Sequence, residues 1–449
     1  MDQRLTDALG RHAGIDDWTA RRQRGRSAQI YLVGNMVENV RQVEREAYEV
    51  EIFNDHQLDG EPRRGSATIP MSGPDLDRLQ EVLDTATVMA SLVHSPPWTL
   101  PAPDQQVPDV ELSDPRLTSM EGSLAAAREA ADTIRELAAA EASNGVRLSG
   151  AELFVTTIEE ELRNSRGLVA AATSTHLMLE VTLLARRGDA EAEHFRQAEA
   201  RRLADLRLAE TIVDGSRMAR DKLGAEAPRT RRGAVVITGE ALPQLFGGTA
   251  VTQTGALLTQ ASAATAYSKL SRLEVGRPIY GDLPRTGDPV TVRANARLPF
   301  GVSSYRFDSD GVPAQDLLVI EDGVLRARPA TQRYGQYLRL PVSGRPGMAQ
   351  VSAGSATEQQ LLDVDGPIVQ VVAFSAPNVD SRTGDFGMEI RLGYEHAAGA
   401  TTPLTGGSVT GNLFEALADV TLSSETRQHA SYAGPVAMRF GSVQVAGRD

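Results

Sequence analysis

Cysteine is absent from all 449 residues. That excludes disulfides, thiolate metal ligands and a cysteine nucleophile. Lysine is almost absent: Lys222 and Lys269 occur, and every other basic side chain is arginine. With the abundant alanine, this bias reads as GC-rich coding, not as chemistry. Aromatic residues make up 5% of the chain, and there are seven histidines. No apolar run approaches the roughly 20 residues a membrane helix needs. The opening MDQRLTDALGRHAGIDDW lacks the apolar core of a secretion signal. These absences point to a cytoplasmic protein with no membrane partner.

Composition is otherwise that of an ordinary globular chain, 41% hydrophobic and 23% charged, with room for two or three domains. The net charge of −13 argues against non-specific nucleic-acid binding. Two basic runs stand out, RRQRGR (21–26) and RTRR (229–232). Neither has aromatic neighbours for base stacking, so both read as solvated loops rather than phosphate patches.

Patterning divides the chain in two. Before residue 226, the segments AQIYLV (28–33) and AYEVEIF (47–53) alternate as half-buried strands do, and GSATIP (65–70) is a short strand. A first helix is expected near 5–11, a second after Ser72-Gly73-Pro74-Asp75 and a third over 120–142. The proline-rich segment 94–115 reads as a loop. Residues 151–163 and 168–185 read as an antiparallel pair joined by Asn164-Ser165-Arg166-Gly167. Residues 189–223 read as a charged helix. Near AEAPRTRRG (225–233) glycine, proline, valine and threonine rise and helices become scarce. The fold class is therefore α+β: an N-terminal α+β domain with antiparallel strands and long helices (1–226), then a β-rich C-terminal domain (227–449). Strands are expected in that half at 234–238, 289–294, 317–320, 368–375, 388–394 and 436–445.

Most catalytic signatures fail. The histidine pair nearest in sequence, His176 and His194, lies 18 residues apart, so no helix presents two histidines on adjacent turns. Leucine follows both lysines, which removes the P-loop, and neither lysine has a serine three residues earlier. Asp308-Ser309-Asp310-Gly311 resembles the start of a calcium loop, but the later ligands do not follow, and a turn is expected. Glu159, Glu160 and Glu161 fall in a strand, where successive side chains face opposite sides. The stretch GDFGMEIRLGYEHAAGATTPLTGGSVTGN (384–412) alternates an apolar face, Phe386 to Tyr394, with a face bearing Glu389 and Arg391, read as a pair. Its glycines read as architecture before a short helix at 412–417.

Several motifs occur in a specific order: FDSDGVPAQ (307–315), VIEDGVL (319–325), GDFGMEIRLGY (384–394), GGSVTGN (406–412) and SYAGPVAMRFGSVQVAG (431–447), preceded by ELRNSRGL (161–168). This pattern resembles the TldD/PmbA family, the metallopeptidase-related modulators of DNA gyrase. The resemblance implies paired subunits. A TldD-type chain holds a catalytic metal with His-Glu-x-x-x-His and a late cysteine, and a TldE or PmbA type keeps the fold without the ligands. Together they enclose a chamber for unfolded peptides, and they are also recruited for maturing peptide-derived natural products. Here the corresponding segment is GALLTQASAATAYSKLSRL (255–273). In that register Gln260 and Thr265 stand in the histidine slots and Ala261 in the glutamate slot.

The departure from the catalytic pattern implies a TldE-type subunit with no cofactor of its own. Zinc is expected in a TldD-type heterodimer partner, and the substrate is a peptide or peptide-like molecule. Glu389, Arg391, His396 and Asn412 are the candidate substrate or partner surface. Two other readings stand beside this one. The first is an independent hydrolase of natural-product biosynthesis, with a rearranged site using His396 or His429. The second is a homo-oligomeric peptide-binding module.

Overall fold

The computed structural model describes residues 1–246, 255–375 and 378–448. The alternation in the first half builds one antiparallel sheet of long strands: β1 (Asp17–Val33), β2 (Met36–Leu58), β3 (Glu61–Met71), β4 (Val146–Asn164), β5 (Val169–Arg187) and β6 (Ala190–Ala200). Their order is β3-β2-β1-β4-β5-β6. Each strand sends alternate residues to opposite faces. Leu177, Leu179, Val181 and Leu183 of β5 are therefore buried on one side, together with Ala28 and Ile30 of β1. Helices cover that side: α1 (Gln3–Arg11), α2 (Leu79–Ser91), α3 (Met120–Ala140) and α4 (Leu208–Lys222). The Ser119 hydroxyl caps α3 by accepting from the Gly122 amide at 3.0 Å. The buried stripe of α3 is Ala126, Ala127, Ala130, Ala131 and Ala138 around Ile134, small side chains that let the helix lie close on the sheet.

Residues 189–223, expected to be helical throughout, divide instead into strand β6, a 3-10 turn and helix α4. The inward positions of β6 hold His194 and Arg196 rather than aliphatic residues, so it lacks the apolar alternation that marks a strand. The run RRQRGR is not a loop either. It lies inside β1, where Arg22 pairs with Glu46 at 2.5 Å and Arg24 with Glu44 at 3.4 Å, while Arg21 and Arg26 reach Glu160 and Glu159 of β4. The charges are neutralised across the ladder, as opposite cross-strand pairs are. RTRR leads directly into strand, and Arg231 lies 3.5 Å from Glu395.

The second half is strand-rich. In chain order it contains β7 (Arg231–Thr238), α5 (Ala241–Phe246), α6 (Ala256–Ala261), α7 (Ala263–Tyr267), β8 (Val292–Asn295), β9 (Asp316–Glu321), β10 (Val324–Leu325), α8 (Gln332–Leu338), β11 (Met348–Val351), α9 (Glu358–Leu362) and β12 (Ile368–Phe374). Then follow β13 (Asp385–Ala397), β14 (Ala400–Leu404), β15 (Ser408–Asn412), α10 (Leu413–Ala416), β16 (Val420–Leu422), β17 (Thr426–His429), β18 (Tyr432–Pro435) and β19 (Ala437–Ala446). They form two sheets, β10-β9-β8-β11-β18-β17 and β12-β7-β19-β15-β13-β14, with β16 alongside β19. One continuous core lies between them, including Phe386, Met388 and Ile390 of β13, Phe414 of α10 and Phe440 of β19. Gly384 shows why glycine is needed there. Its φ is +79°, and a Cβ would lie 2.3 Å from the Phe414 ring.

The halves meet through two turns of the same build. Asn164 Oδ1 accepts the amides of Arg166 and Leu168, both at 3.0 Å, and Asp308 Oδ1 accepts those of Asp310 and Val312, both at 3.0 Å. The sequences Asn-Ser-Arg-Gly-Leu and Asp-Ser-Asp-Gly-Val thus form matching side-chain-capped turns. Leu162, Leu168 and Ala170 pack on Phe307 between them. Arg201 staples the same junction. Its guanidinium donates to the carbonyls of Thr175 (3.1 Å), Gly301 (2.7 Å), Val302 (2.8 Å) and Ser304 (2.8 Å). Burial pushes its pKa down to about 10, still protonated at neutral pH. No described helix is long and apolar enough to cross a membrane.

Candidate functional site

The segment 255–273 and a cavity between the halves hold the candidate residues. In the first, α6 ends at Ala261, and Ser262 adopts extended geometry with ψ 151°. The Ser262 hydroxyl then accepts from the Thr265 amide at 3.2 Å and starts α7. Gln260 and Thr265 therefore sit on separate short helices. Gln260 is fully buried, and its amide is committed on both sides. Nε2 donates to the carbonyls of Leu270 (3.1 Å) and Ser381 (2.8 Å), and Oε1 accepts the Arg272 amide (2.8 Å). Arg328 closes the end of α6, donating to the carbonyls of Gln260 (3.4 Å), Ala261 (3.2 Å) and Leu273. A permanent positive charge at a helix C-terminus suits the helix dipole. Among the described residues, no group of three or more histidine and carboxylate side chains is placed to hold a metal.

The cavity follows from the layering of the first half. Helices cover one face of the long sheet, and the opposite face forms a wall of a space of about 710 Å³. That wall presents Arg21, Glu160, His176, Phe195 and Glu199, the alternate residues of strands whose other positions are core. The second half closes it with Tyr305, Phe307, Phe374, Arg391 and His429. The His176 ring nitrogen Nε2 lies 3.4 Å from Glu199 Oε2, and Gln197 donates to Glu199 Oε1 at 3.0 Å. Hydrogen bonding from His176 holds the Glu199 carboxyl below its usual range. Burial pushes His429 down, so its imidazole is neutral at physiological pH. The walls are mixed, aromatic surfaces interrupted by a few fixed polar groups, as ligand sites commonly are.

Of the four candidate surface residues, Arg391 alone lines this cavity. Glu389 is exposed on the same strand, and the Arg391 guanidinium bonds the Ser375 carbonyl (3.4 Å) rather than Glu389, contrary to the pairing expected. The Arg391 guanidinium lies instead 5.5 Å from the Phe195 ring centroid. Its side chain is drawn across the junction to the first half, a contact that strand alternation could not reveal. His396 bonds Gln370 Oε1 (3.0 Å) and Thr401 (3.2 Å) at the far end of β13. Asn412 caps α10, accepting the Phe414 (3.1 Å) and Glu415 (3.3 Å) amides, and donates to Thr383 and Asp385. His176, Glu199 and Arg201 were not singled out from the sequence. The one available signal was the polar half of the β5 alternation, Ser174 and His176, which faced no obvious solvent.

A two-sheet, strand-rich half joined to a helix-backed antiparallel sheet, with a cavity between them, defines a class that comparison with known proteins makes specific. Residues 234–447 match the PmbA/TldA metallopeptidase C-terminal domain. Metalloprotease PmbA of Escherichia coli O157:H7 is 26% identical over 232 residues, 50% of this chain and 48% of that protein. The match thus spans about half the length of that relative. TldE from Thermococcus kodakarensis superposes with a TM-score of 0.80 at 17% identity, covering 99% of this chain and all of that one. A Thermotoga maritima protein described as a modulator of a DNA gyrase gives a TM-score of 0.78, also at 17% identity, with 99% and 100% covered. Residues 234–447 thus form a domain of the PmbA/TldD family, and the chain as a whole has the fold of TldE.

Proposed function

We propose that this chain is the TldE-type, non-catalytic subunit of a heteromeric metallopeptidase. A TldD-type partner supplies the zinc, and the pair acts on unfolded peptides or a peptide-like natural-product intermediate. The observation that carries the reading is Gln260. In the histidine slot stands a side chain whose amide is wholly engaged in holding the 270–272 loop and Ser381. A neutral amide is a poor zinc ligand, and Ala261 has no group to act as a base. The Arg328 guanidinium against the carbonyls of Gln260 and Ala261 adds a fixed cation where a second cation would be repelled. No cysteine exists in the chain to complete a thiolate ligand set.

The test is purification of the chain alone and after co-expression with a family member bearing His-Glu-x-x-x-His and a late cysteine. The complex is expected to degrade an unfolded protein in a chelator-sensitive way, and the isolated chain is expected not to. Chelator-sensitive hydrolysis by the isolated chain at a comparable rate refutes the reading, as does a failure of the two chains to associate.

A further inference from the structure

The polar groups of the cavity do not balance. Each of its three carboxylates already has a partner: Glu160 pairs with Arg21, Glu240 with Arg196, and Glu199 bonds His176 and Gln197. Arg391 is different. No carboxylate lies within ion-pairing distance of it among the described residues. The one hydrogen bond of its side chain among the described residues, to the Ser375 carbonyl, is long at 3.4 Å. Its Nε is buried without a partner. Ser304, 3% exposed, lines the same cavity with its hydroxyl oxygen also unpartnered. Arg201, buried in the same lining, adds a second guanidinium with no carboxylate among the described residues, its donors taken by backbone carbonyls.

A half-buried guanidinium with free donors is costly unless an anion completes it. The Phe195 ring centroid lies 5.5 Å from it, and Tyr305, Phe307 and Phe374 line the same cavity with apolar surface but no negative charge. A volume of about 710 Å³ exceeds what a lone inorganic anion would occupy. We propose that this cavity binds a carboxylate ligand with an apolar body, its carboxylate held by Arg391 and its body against the phenyl rings. Both the C-terminus of a short apolar peptide and a simple aromatic acid have this chemistry. The inference concerns this chain alone. It needs no partner subunit, so it and the assembly proposed above can fail separately.

The experiment is calorimetric titration of the isolated full chain with N-acetyl-Leu-Phe as free acid and as C-terminal amide, with 3-phenylpropionate, and with inorganic phosphate. The acid is expected to bind at least about tenfold more tightly than the amide, since charge-assisted hydrogen bonds reach roughly this size. Arg391→Met should abolish that preference, so that acid and amide bind alike. Arg391→Lys should restore part of it, and Ser304→Ala should weaken acid binding severalfold. Competition by 3-phenylpropionate supports a general aromatic acid site, and its failure to compete narrows the ligand to a peptide terminus. Equal binding of acid and amide overturns the proposal. So does a preference that survives Arg391→Met, or phosphate binding as tightly as the acid. Binding of no organic probe at millimolar concentration also sinks it. The acid–amide comparison on the wild-type chain decides the matter even if the Arg391 variants do not fold.

Discussion

His194 gives the sharpest quantitative test of the energetics. It is fully buried on β6, and neither ring nitrogen has a hydrogen-bond partner. Burial pushes its pKa from 6.5 down to about 3, helped by the positive charges of Arg196, Lys222, Arg391 and Arg217. The unfolded chain therefore takes up a proton at about pH 6.5, whereas the folded chain stays neutral to about pH 3. Stability from this group is fully present above pH 6.5 and falls as pH drops below it. The loss is about 1.4 kcal/mol per pH unit, so about 2.7 kcal/mol has gone by pH 4.5. His194→Leu removes the titration and buries an apolar group of similar size. Because no hydrogen bond is broken, the variant should be at least as stable as wild type at pH 7.5. Its advantage should then grow by about 2.7 kcal/mol by pH 4.5. Urea unfolding followed by circular dichroism at pH 7.5, 6.5, 5.5 and 4.5 measures this difference. His396 and His429, whose pKa values are also lowered by burial, contribute to both proteins and cancel. An advantage that is constant across the four pH values refutes the reasoning.

Gln260→Ala strands two carbonyls and one amide, and should cost roughly 3 kcal/mol, read as a lower urea midpoint with unchanged slope. Asp17→Ala should cost about 3–5 kcal/mol, because it leaves Arg64, 3% exposed and stacked 4.9 Å from the Phe53 ring, without its closest counter-charge. Thermal unfolding checks it, and Asp17→Asn, which keeps an acceptor, should be milder. Gly311→Ala forces a side chain to φ +92° and places its Cβ 2.3 Å from buried Leu168. It should destabilise by roughly 2 kcal/mol or more and increase protease cleavage at the junction of the halves.

Arg391 shows where reading a sequence succeeds and where it stops. The alternation of β13 correctly assigns Phe386, Met388 and Ile390 to the core between the sheets and leaves Arg391 off it, whereas Leu392 and Tyr394 pack in a separate cluster with Val372 and Met218. It does not reveal what Arg391 meets. Phe195 approaches from a strand almost 200 residues earlier, on an edge whose charged residues look helical in one dimension. His176 and Glu199 are likewise 23 positions apart, and only the β5–β6 pairing brings them within 3.4 Å.

The primary structure alone determined the α+β class and the covalent absence of thiols. These are properties of residue identity and local period, which travel with the chain whatever its packing. Tertiary structure decided the rest: that RRQRGR is a neutralised strand, that Gln260 ties two loops, and that a sheet face and a second half enclose a cavity where Arg391 meets no carboxylate among the described residues. Contacts of that kind depend on long-range pairing, and pairing distance leaves no periodic mark on a sequence.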